Sequence, residues 1–197
     1  MIFERLRRAL AARTRADFDF GSLPHPPPGG LRHGSVMVPL CEKDGELQLL
    51  LTRRHRHLRR HPGQLSFPGG HVDDGEDSLA AALREAREEI GLEPSRVDVL
   101  GRLDETLVLA SPFRLTPWVA RVPYPYPYVA QPQEVDEILI VPLALLARPG
   151  AHRTELHRAY GMDHEVHFYE QEADGGVRVF GATAHVLGQL LETWRSA

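Results

Sequence analysis

The feature that most constrains this chain is the segment Ser78–Ile90, where Leu79, Ala82, Leu83, Ala86 and Ile90 recur at helical spacing. That spacing predicts an amphipathic helix with these side chains facing a core. Gly91 follows and suits a left-handed terminus, while Asp77 or Ser78 can cap the start. On such a helix Glu85, Glu88 and Glu89 stand at i, i+3 and i+4 and share one side. Glu88 and Glu89 also fall in the last turn, at the negative end of the helix dipole. Each of these repulsions costs a few tenths to about 1 kcal/mol. A bound divalent cation reverses their sign, and hard cations such as Mg²⁺ or Mn²⁺ prefer carboxylate oxygens. An acidic helix by itself is more often a solvated face, and Arg84, four residues before Glu88, offers that face an ion pair. The residues around the helix have to decide.

Met1–Arg15 reads as a further amphipathic helix, with Ile2, Leu6, Ala9 and Leu10 as its stripe. His25–Gly30, rich in proline and glycine, reads as a connector. Ser35–Leu40 and Leu47–Arg53 read as strands of a hairpin turning at Lys43-Asp44-Gly45-Glu46. Phe67–Gly70 breaks the chain before the helix. Further strands are expected within Val97–Leu109, Phe113–Val122 and Ile138–Pro142, with a short helix at Leu143–Ala147. Tyr124–Tyr128 alternates tyrosine with proline and makes a stiff loop. Glu165–Glu170 and Val177–Phe180 suggest a late hairpin around Asp174-Gly175-Gly176. Ala182–Trp194 reads as a closing helix with Leu187, Leu190 and Leu191 inward. Strands mixed with helices predict an α/β (α+β) fold, its mixed β-sheet covered on both faces. With 197 residues the chain suits a single domain, 1–30 being helix and connector and 31–197 the core.

Composition narrows the function. A net charge of −4 argues against a nucleic-acid partner. Cys41 is the only cysteine, so no disulfide framework exists and a reducing cytoplasm is expected. No apolar run approaches the roughly 18 residues of a membrane span. The partner expected is a small molecule, and the oligomeric state is not legible.

Gly70, Glu76 and the run Arg84-Glu85-Ala86-Arg87-Glu88-Glu89-Ile90-Gly91-Leu92 match, in identity and spacing, the signature of the Nudix hydrolases. From average residue frequencies a chance match is on the order of 10⁻⁸. Ala86 departs mildly, being smaller than the branched aliphatic often found there, which touches packing. The resemblance implies a Nudix-type α/β/α sandwich. It implies that Glu85, Glu88 and Glu89 are metal ligands for Mg²⁺ or Mn²⁺, joined by a backbone carbonyl of Gly69 or Gly70. It implies that Arg84 orients the glutamates, that Glu76 ties loop to helix, and that Gly70 and Gly91 are structural. The general base in this family is sometimes a signature glutamate and sometimes a later acid. Glu85, Glu89, Glu134 and Glu137 all stay open here.

The preceding segment also carries information. Its apolar-Thr52-x-Arg54 start, Leu58, His61, Gly63-Gln64 and Ser66-Phe67-Pro68-Gly69-Gly70 resemble the coenzyme A diphosphatase branch. The late Val179-Phe180-Gly181-Ala182-Thr183-Ala184 is also similar to it. The resemblance implies cleavage of CoA into 3′,5′-ADP and 4′-phosphopantetheine, with Arg53, His61, Ser66 and Phe67 on the substrate. Arg53, Arg54, Arg56, Arg59 and Arg60 supply positive charge for its phosphates. Tyr124, Tyr126 or Tyr128 could stack on adenine, although buried rings in a stiff loop are the commoner arrangement. His55 and His57 find no third ligand nearby, which argues against zinc. The competing reading is a Nudix diphosphatase for ADP-ribose, NADH or dinucleotide polyphosphates. A nucleotide sensor without activity would require damage at Glu85, Glu88 or Glu89, and none is present.

Overall fold

The computed structural model describes residues 2–171 and 176–197. Chain order begins with α1 (Ile2–Ala12), then β1 (Arg32–Lys43), β2 (Glu46–Arg54), β3 (Leu65–Ser66) and β4 (Gly69–His71). Helix α2 (Ser78–Ile90) follows, then β5 (Asp98–Arg102), β6 (Thr106–Val108), β7 (Phe113–Arg121), β8 (Val135–Pro142) and α3 (Leu143–Leu146). The chain closes with β9 (His152–Ala159), β10 (Met162–Gln171), β11 (Val177–Phe180) and α4 (Ala182–Arg195). Helix α2 has the predicted bounds.

Eight of the described strands form one mixed sheet, ordered β3-β2-β1-β7-β5, with β4 on β1, β6 on β7 and β8 on β2. β1 and β7 run parallel, and the other pairs are antiparallel. The β1–β2 hairpin turns at Asp44 and Gly45, whose φ of 53° and 80° are the left-handed pair that a tight hairpin needs. The run Leu49-Leu50-Leu51 is wholly buried because β2 lies inside the sheet and is covered on both faces. Leu49 and Leu51 join Val36, Val38 and Leu40 on one side, while Leu50 joins Met37 and Cys41 on the other.

Helix α2 covers the second side through Ala82, Ala86 and Ile90, all fully buried. The small Ala86 lets the helix backbone lie close to the sheet. The first side is covered by α1, α4 and a small antiparallel sheet, β11-β10-β9. From α1 it takes Phe3, Leu6 and Leu10. Phe3 buries where the sequence pattern had placed Ile2 and Ala9, both of which stay partly exposed. From α4 it takes Leu187, Leu190 and Leu191, as expected.

The predicted hairpin of β10 and β11 is present, Phe168 facing Phe180, while Asp174 and Gly175 of its turn lie outside the described residues. β9 was not expected. Its sequence, HRTELHRA, is almost entirely exposed, so it has no apolar alternation to read. Beyond α1 the chain is strapped down by two acids. Arg13 pairs with Asp104 at 2.8 Å, and Asp17 accepts from Arg102 at 2.9 Å and from the Glu105 amide at 2.8 Å. Among the described residues no helix is long and apolar enough to cross a membrane.

Candidate active site

The glutamate helix is fixed at both ends. Asp77 accepts from the amides of Leu79 and Ala80, and Gly91, at φ 66° and ψ 20°, donates to the carbonyls of Arg87 and Ala86. Two more carbonyls of the last turn are taken by the chain just beyond the aromatic loop. Val129 N–H donates to Ile90 O at 3.0 Å, and Gln131 N–H to Glu89 O at 2.9 Å. Tyr126 Oη donates to Gly91 O at 3.1 Å, and Tyr128 Oη to Pro123 O at 2.8 Å. Both rings pack against the core beneath α2. Tyr126 therefore holds the helix end while Tyr128 braces its own loop, and of the three tyrosines only Tyr124 is exposed.

Arg84 is the hub of the acidic face. Its Nε and Nη2 grip both oxygens of Glu76 at 2.9 and 3.0 Å, and Nη2 also reaches His71 O at 2.9 Å. Its Nη1 donates to Glu85 at 2.8 Å and, more weakly, to Glu88 at 3.4 Å. Glu76 also accepts from the Asp73 amide at 3.1 Å. Arg84 holds the Glu76 carboxyl below its ordinary range, and Glu76 holds the Arg84 proton more firmly still. The loop before α2 is thereby bolted to the helix.

Two glycines bring backbone against this face. Gly69 and Gly70 lie in β4, opposite Val36 and Ser35 of β1. A Cβ on Gly70 would stand 2.4 Å from the Glu85 carboxyl group. A Cβ on Gly69 would stand 2.3 Å from Ser35 O and 2.6 Å from Val36 Cα. Only glycine permits both approaches.

The three glutamates differ in environment. Glu88 is exposed, Glu85 is half-buried and Glu89 is only 4% exposed. Burial raises the Glu85 carboxyl, against Arg84, which lowers it; the charges of Glu88 and Glu134 add to the rise. Burial pushes Glu89 up to about 8, with Glu85 and Glu134 adding to the rise and Arg54 and the Gly69 amide opposing it. Among the described residues two buried side-chain polar atoms lack a hydrogen-bond partner, Glu89 Oε2 and Arg54 Nε. A buried ionisable oxygen without a partner is costly unless a cation or proton serves it.

As they stand, the described His, Cys, Asp and Glu side chains form no ready cage of three around one point. The reason is visible: Arg84 draws Glu85 and Glu88 toward itself, while Glu89 makes no hydrogen bond to it. The orphaned Glu89 oxygen and the glycine cradle nevertheless suit a cation that would gather these carboxylates.

The structure sorts the expected substrate and base residues. His61, Ser66 and Phe67 line a cleft of about 790 Å³, and Gly69 lies at its margin. His61 sits at φ 56° with Nδ1 3.0 Å from Gln64 Oε1, and Ser66 is tied to Thr52. Arg53 does not line the cleft; its Nε donates to Glu137 at 2.9 Å. Arg54 lines it instead. A bulge separates the two: Arg53 faces Glu137 and Arg54 faces Val135, leaving Asp136 extra on β8. Asp136 is then free to accept from Arg56 and to pair with His55 at 3.2 Å.

Glu137 is thus engaged by Arg53, whereas Glu134 is the acid whose charge acts on both Glu85 and Glu89. Its backbone is pinned, Glu134 N–H donating to Gln131 Oε1 at 3.1 Å and Glu134 O accepting from His55 N–H at 2.7 Å. Arg53, expected on the substrate, is held away from the cleft by Glu137, and Arg54 takes its place there. The alternation Thr52, Arg54 on one strand face was the only available signal, and the bulge obscures it.

The far walls of the cleft include Phe18, Leu107, Phe168, Phe180 and His185. Phe18 is delivered by the strapped N-terminal segment, and the last three come from β10, β11 and α4.

The chain is similar in sequence and in fold to known proteins of one family. The NUDIX domain profile matches residues 31–160. The uncharacterised Nudix hydrolase NudL of Cronobacter sakazakii is 40% identical over 167 residues, covering 81% of each chain. The NudL protein of Escherichia coli O7:K1 is 39% identical over 163 residues, again covering 81% of each. Among solved structures, a MutT/nudix family protein from Enterococcus faecalis aligns with a TM-score of 0.57 at 19% identity, over 81% of this chain and 60% of that one. The Nudix hydrolase RenU of M. smegmatis aligns at 0.52 and 22%, over 61% and 79%. These likenesses support the fold, and the profile and the curated relatives support more: the chain belongs to the Nudix family, pyrophosphatase-type hydrolases that act on nucleoside-diphosphate-linked substrates with divalent metal ions.

Proposed function

We propose that this protein hydrolyses the diphosphate bond of coenzyme A or a CoA derivative, releasing 3′,5′-ADP and 4′-phosphopantetheine or its acyl form. One observation carries the reading. The segment that resembles the CoA branch, Leu50–Gly70, forms the end of the cleft that adjoins Glu89, through Arg54, His61, Gln64, Ser66 and Phe67. At about 790 Å³ the cleft has room for much more than a diphosphate. Several of its walls, including Phe18, Phe168, Phe180 and His185, stand outside residues 31–160 and so outside the part shared across the family. Recognition of the groups flanking the diphosphate belongs to those walls.

Glu85, Glu88 and Glu89, with a carbonyl of Gly69 or Gly70, would hold Mg²⁺ or Mn²⁺. Bound there, the metal supplies charge neutralisation at the phosphate and a water of lowered pKa. The protein's own groups do the rest. Arg84 holds Glu85 in place while Glu76 holds Arg84. Arg54 and His61 grip phosphate oxygens, guanidinium being suited to a bidentate hold. Glu134 accepts the proton of the attacking water, since it stands beside both glutamates and is not bound to an arginine.

The test is an assay of purified protein with CoA and Mg²⁺ or Mn²⁺, products separated by chromatography, with ADP-ribose, NADH and a dinucleotide polyphosphate in parallel. Release of 3′,5′-ADP that chelation abolishes is the expected result. Cleavage of the other compounds without CoA would retire the CoA assignment and leave the metal site standing.

A further inference from the structure

Two buried polar atoms without partners, one on each side of the same site, call for a common explanation. Glu89 Oε2 belongs to an acid that is 4% exposed, and Arg54 Nε belongs to the guanidinium whose positive charge acts on it most strongly. They attract each other through space yet form no hydrogen bond. Arg54 has no other anchor for that atom, whereas its neighbour Arg53 is satisfied by Glu137 at 2.9 Å.

The backbone of Arg54 is held hard on both sides. Its N–H donates to Gln64 O at 2.9 Å and its carbonyl accepts from Gly63 N–H at 3.0 Å. The bulge between Arg53 and Arg54 sets the direction of the side chain. From there Arg54 borders both the carboxylate site and the substrate cleft. A fixed backbone, a guanidinium without a hydrogen-bond partner among the described residues, and anions on two sides describe a side chain that exchanges partners.

We infer that Arg54 is a resident counter-cation: beside Glu89 it stands in for the metal's charge while the site is empty of metal, and it turns to the substrate diphosphate once the metal is bound. The inference rests on reading Glu85, Glu88 and Glu89 as the metal ligands. It assigns Arg54 a positioning role distinct from that of Arg84. Arg84 is tied to Glu76 and to His71 O, neither of which is read as a ligand of metal or substrate. Arg54 must instead compete with the incoming cation for Glu89. Arg54 eases ionisation of Glu89 without a hydrogen bond, which leaves the carboxylate oxygen open to a metal, whereas a direct ion pair would block it.

The test measures binding. Mn²⁺ affinity is determined by calorimetry without nucleotide. Affinity for α,β-methylene-ADP, a nucleoside diphosphate that cannot be cleaved, is then determined on the Mn²⁺-saturated protein. Removing the competing charge in Arg54→Gln is expected to tighten Mn²⁺ roughly tenfold and to weaken the nucleotide roughly tenfold. Arg54→Lys keeps the charge without the planar fork, so Mn²⁺ affinity stays within about twofold of wild type while nucleotide affinity falls. Arg53→Gln moves neither by more than about twofold. Arg54→Met serves as a second neutral variant, and far-UV circular dichroism checks folding of each. If folded Arg54→Gln or Arg54→Met binds Mn²⁺ no more tightly than wild type, or binds the nucleotide as well, the counter-cation role is wrong. Unchanged Mn²⁺ binding by Glu89→Gln would overturn the metal assignment beneath it.

Discussion

Replacing Glu89 by glutamine should stabilise the metal-free protein while abolishing turnover. In the folded chain Glu89 titrates near 8, against an ordinary value of 4.5, and burial is the main cause. Between those two values the folded state holds a proton that the unfolded state has lost. Stability of the metal-free wild type therefore declines as pH rises from about 4.5 to about 8, and the loss is complete above the folded value. At 1.36 kcal/mol per pH unit that gap sets a ceiling of about 5 kcal/mol. Relaxation and water entry reduce it, so a gain of about 2–4 kcal/mol at pH 8 is expected for Glu89→Gln. For a chain of this size that raises the melting temperature by roughly 5–15 °C. The assay is thermal and urea unfolding in EDTA at pH 5 and pH 8. The variant's advantage must be large at pH 8 and shrink at pH 5. An advantage equal at both pH values, or none at pH 8, would refute the account of Glu89 as an acid held protonated by burial. With Mg²⁺ or Mn²⁺ present the same variant should lose at least about 10³-fold in kcat, because a ligand and its charge are gone.

Adjacent glycines should fail in different ways. Gly69→Ala drives a Cβ into the backbone of Ser35 and Val36, so about 3 kcal/mol or more of stability is lost in urea unfolding. Gly70→Ala meets the carboxyl end of the Glu85 side chain rather than backbone, so it should melt within a few degrees of wild type yet lose roughly 100-fold or more in kcat. Glu134→Gln should lower kcat about 100-fold or more, while Glu137→Gln, whose acid is held by Arg53, should stay within about fivefold; steady-state assays that ranked them the other way would move the base to Glu137. Glu76→Gln removes the anchor of Arg84 and should lower both kcat and the affinity for Mn²⁺, with little change in far-UV circular dichroism.

Local chemistry was legible directly from the residues. Helix α2 begins and ends where Asp77 and Gly91 stand, because capping depends on the residues at the ends and on little else. The hairpin turn at Asp44-Gly45 and the shared side of Glu85, Glu88 and Glu89 follow from backbone geometry of the same short range. The mixed sheet was readable as a class, since apolar runs such as Leu49–Leu51 demand cover on both faces. Tertiary structure decided what pairing and burial decide. Which of Arg53 and Arg54 enters the cleft depends on a bulge opposite Asp136, a property of two strands and not of one. Glu134 rather than Glu137 stands by the glutamates because Arg53 claims Glu137 across the same pairing. Tyr126 turned inward because the carbonyl at the end of α2 needed a donor, and Tyr128 turned inward beside it to brace the loop at Pro123 O. β9 stayed invisible because a strand that buries neither face leaves no periodicity in its sequence. Above all, the contrast between exposed Glu88 and buried Glu89 arises from what the sheet and loops place over the helix, and equal spacing along the chain carries no trace of it.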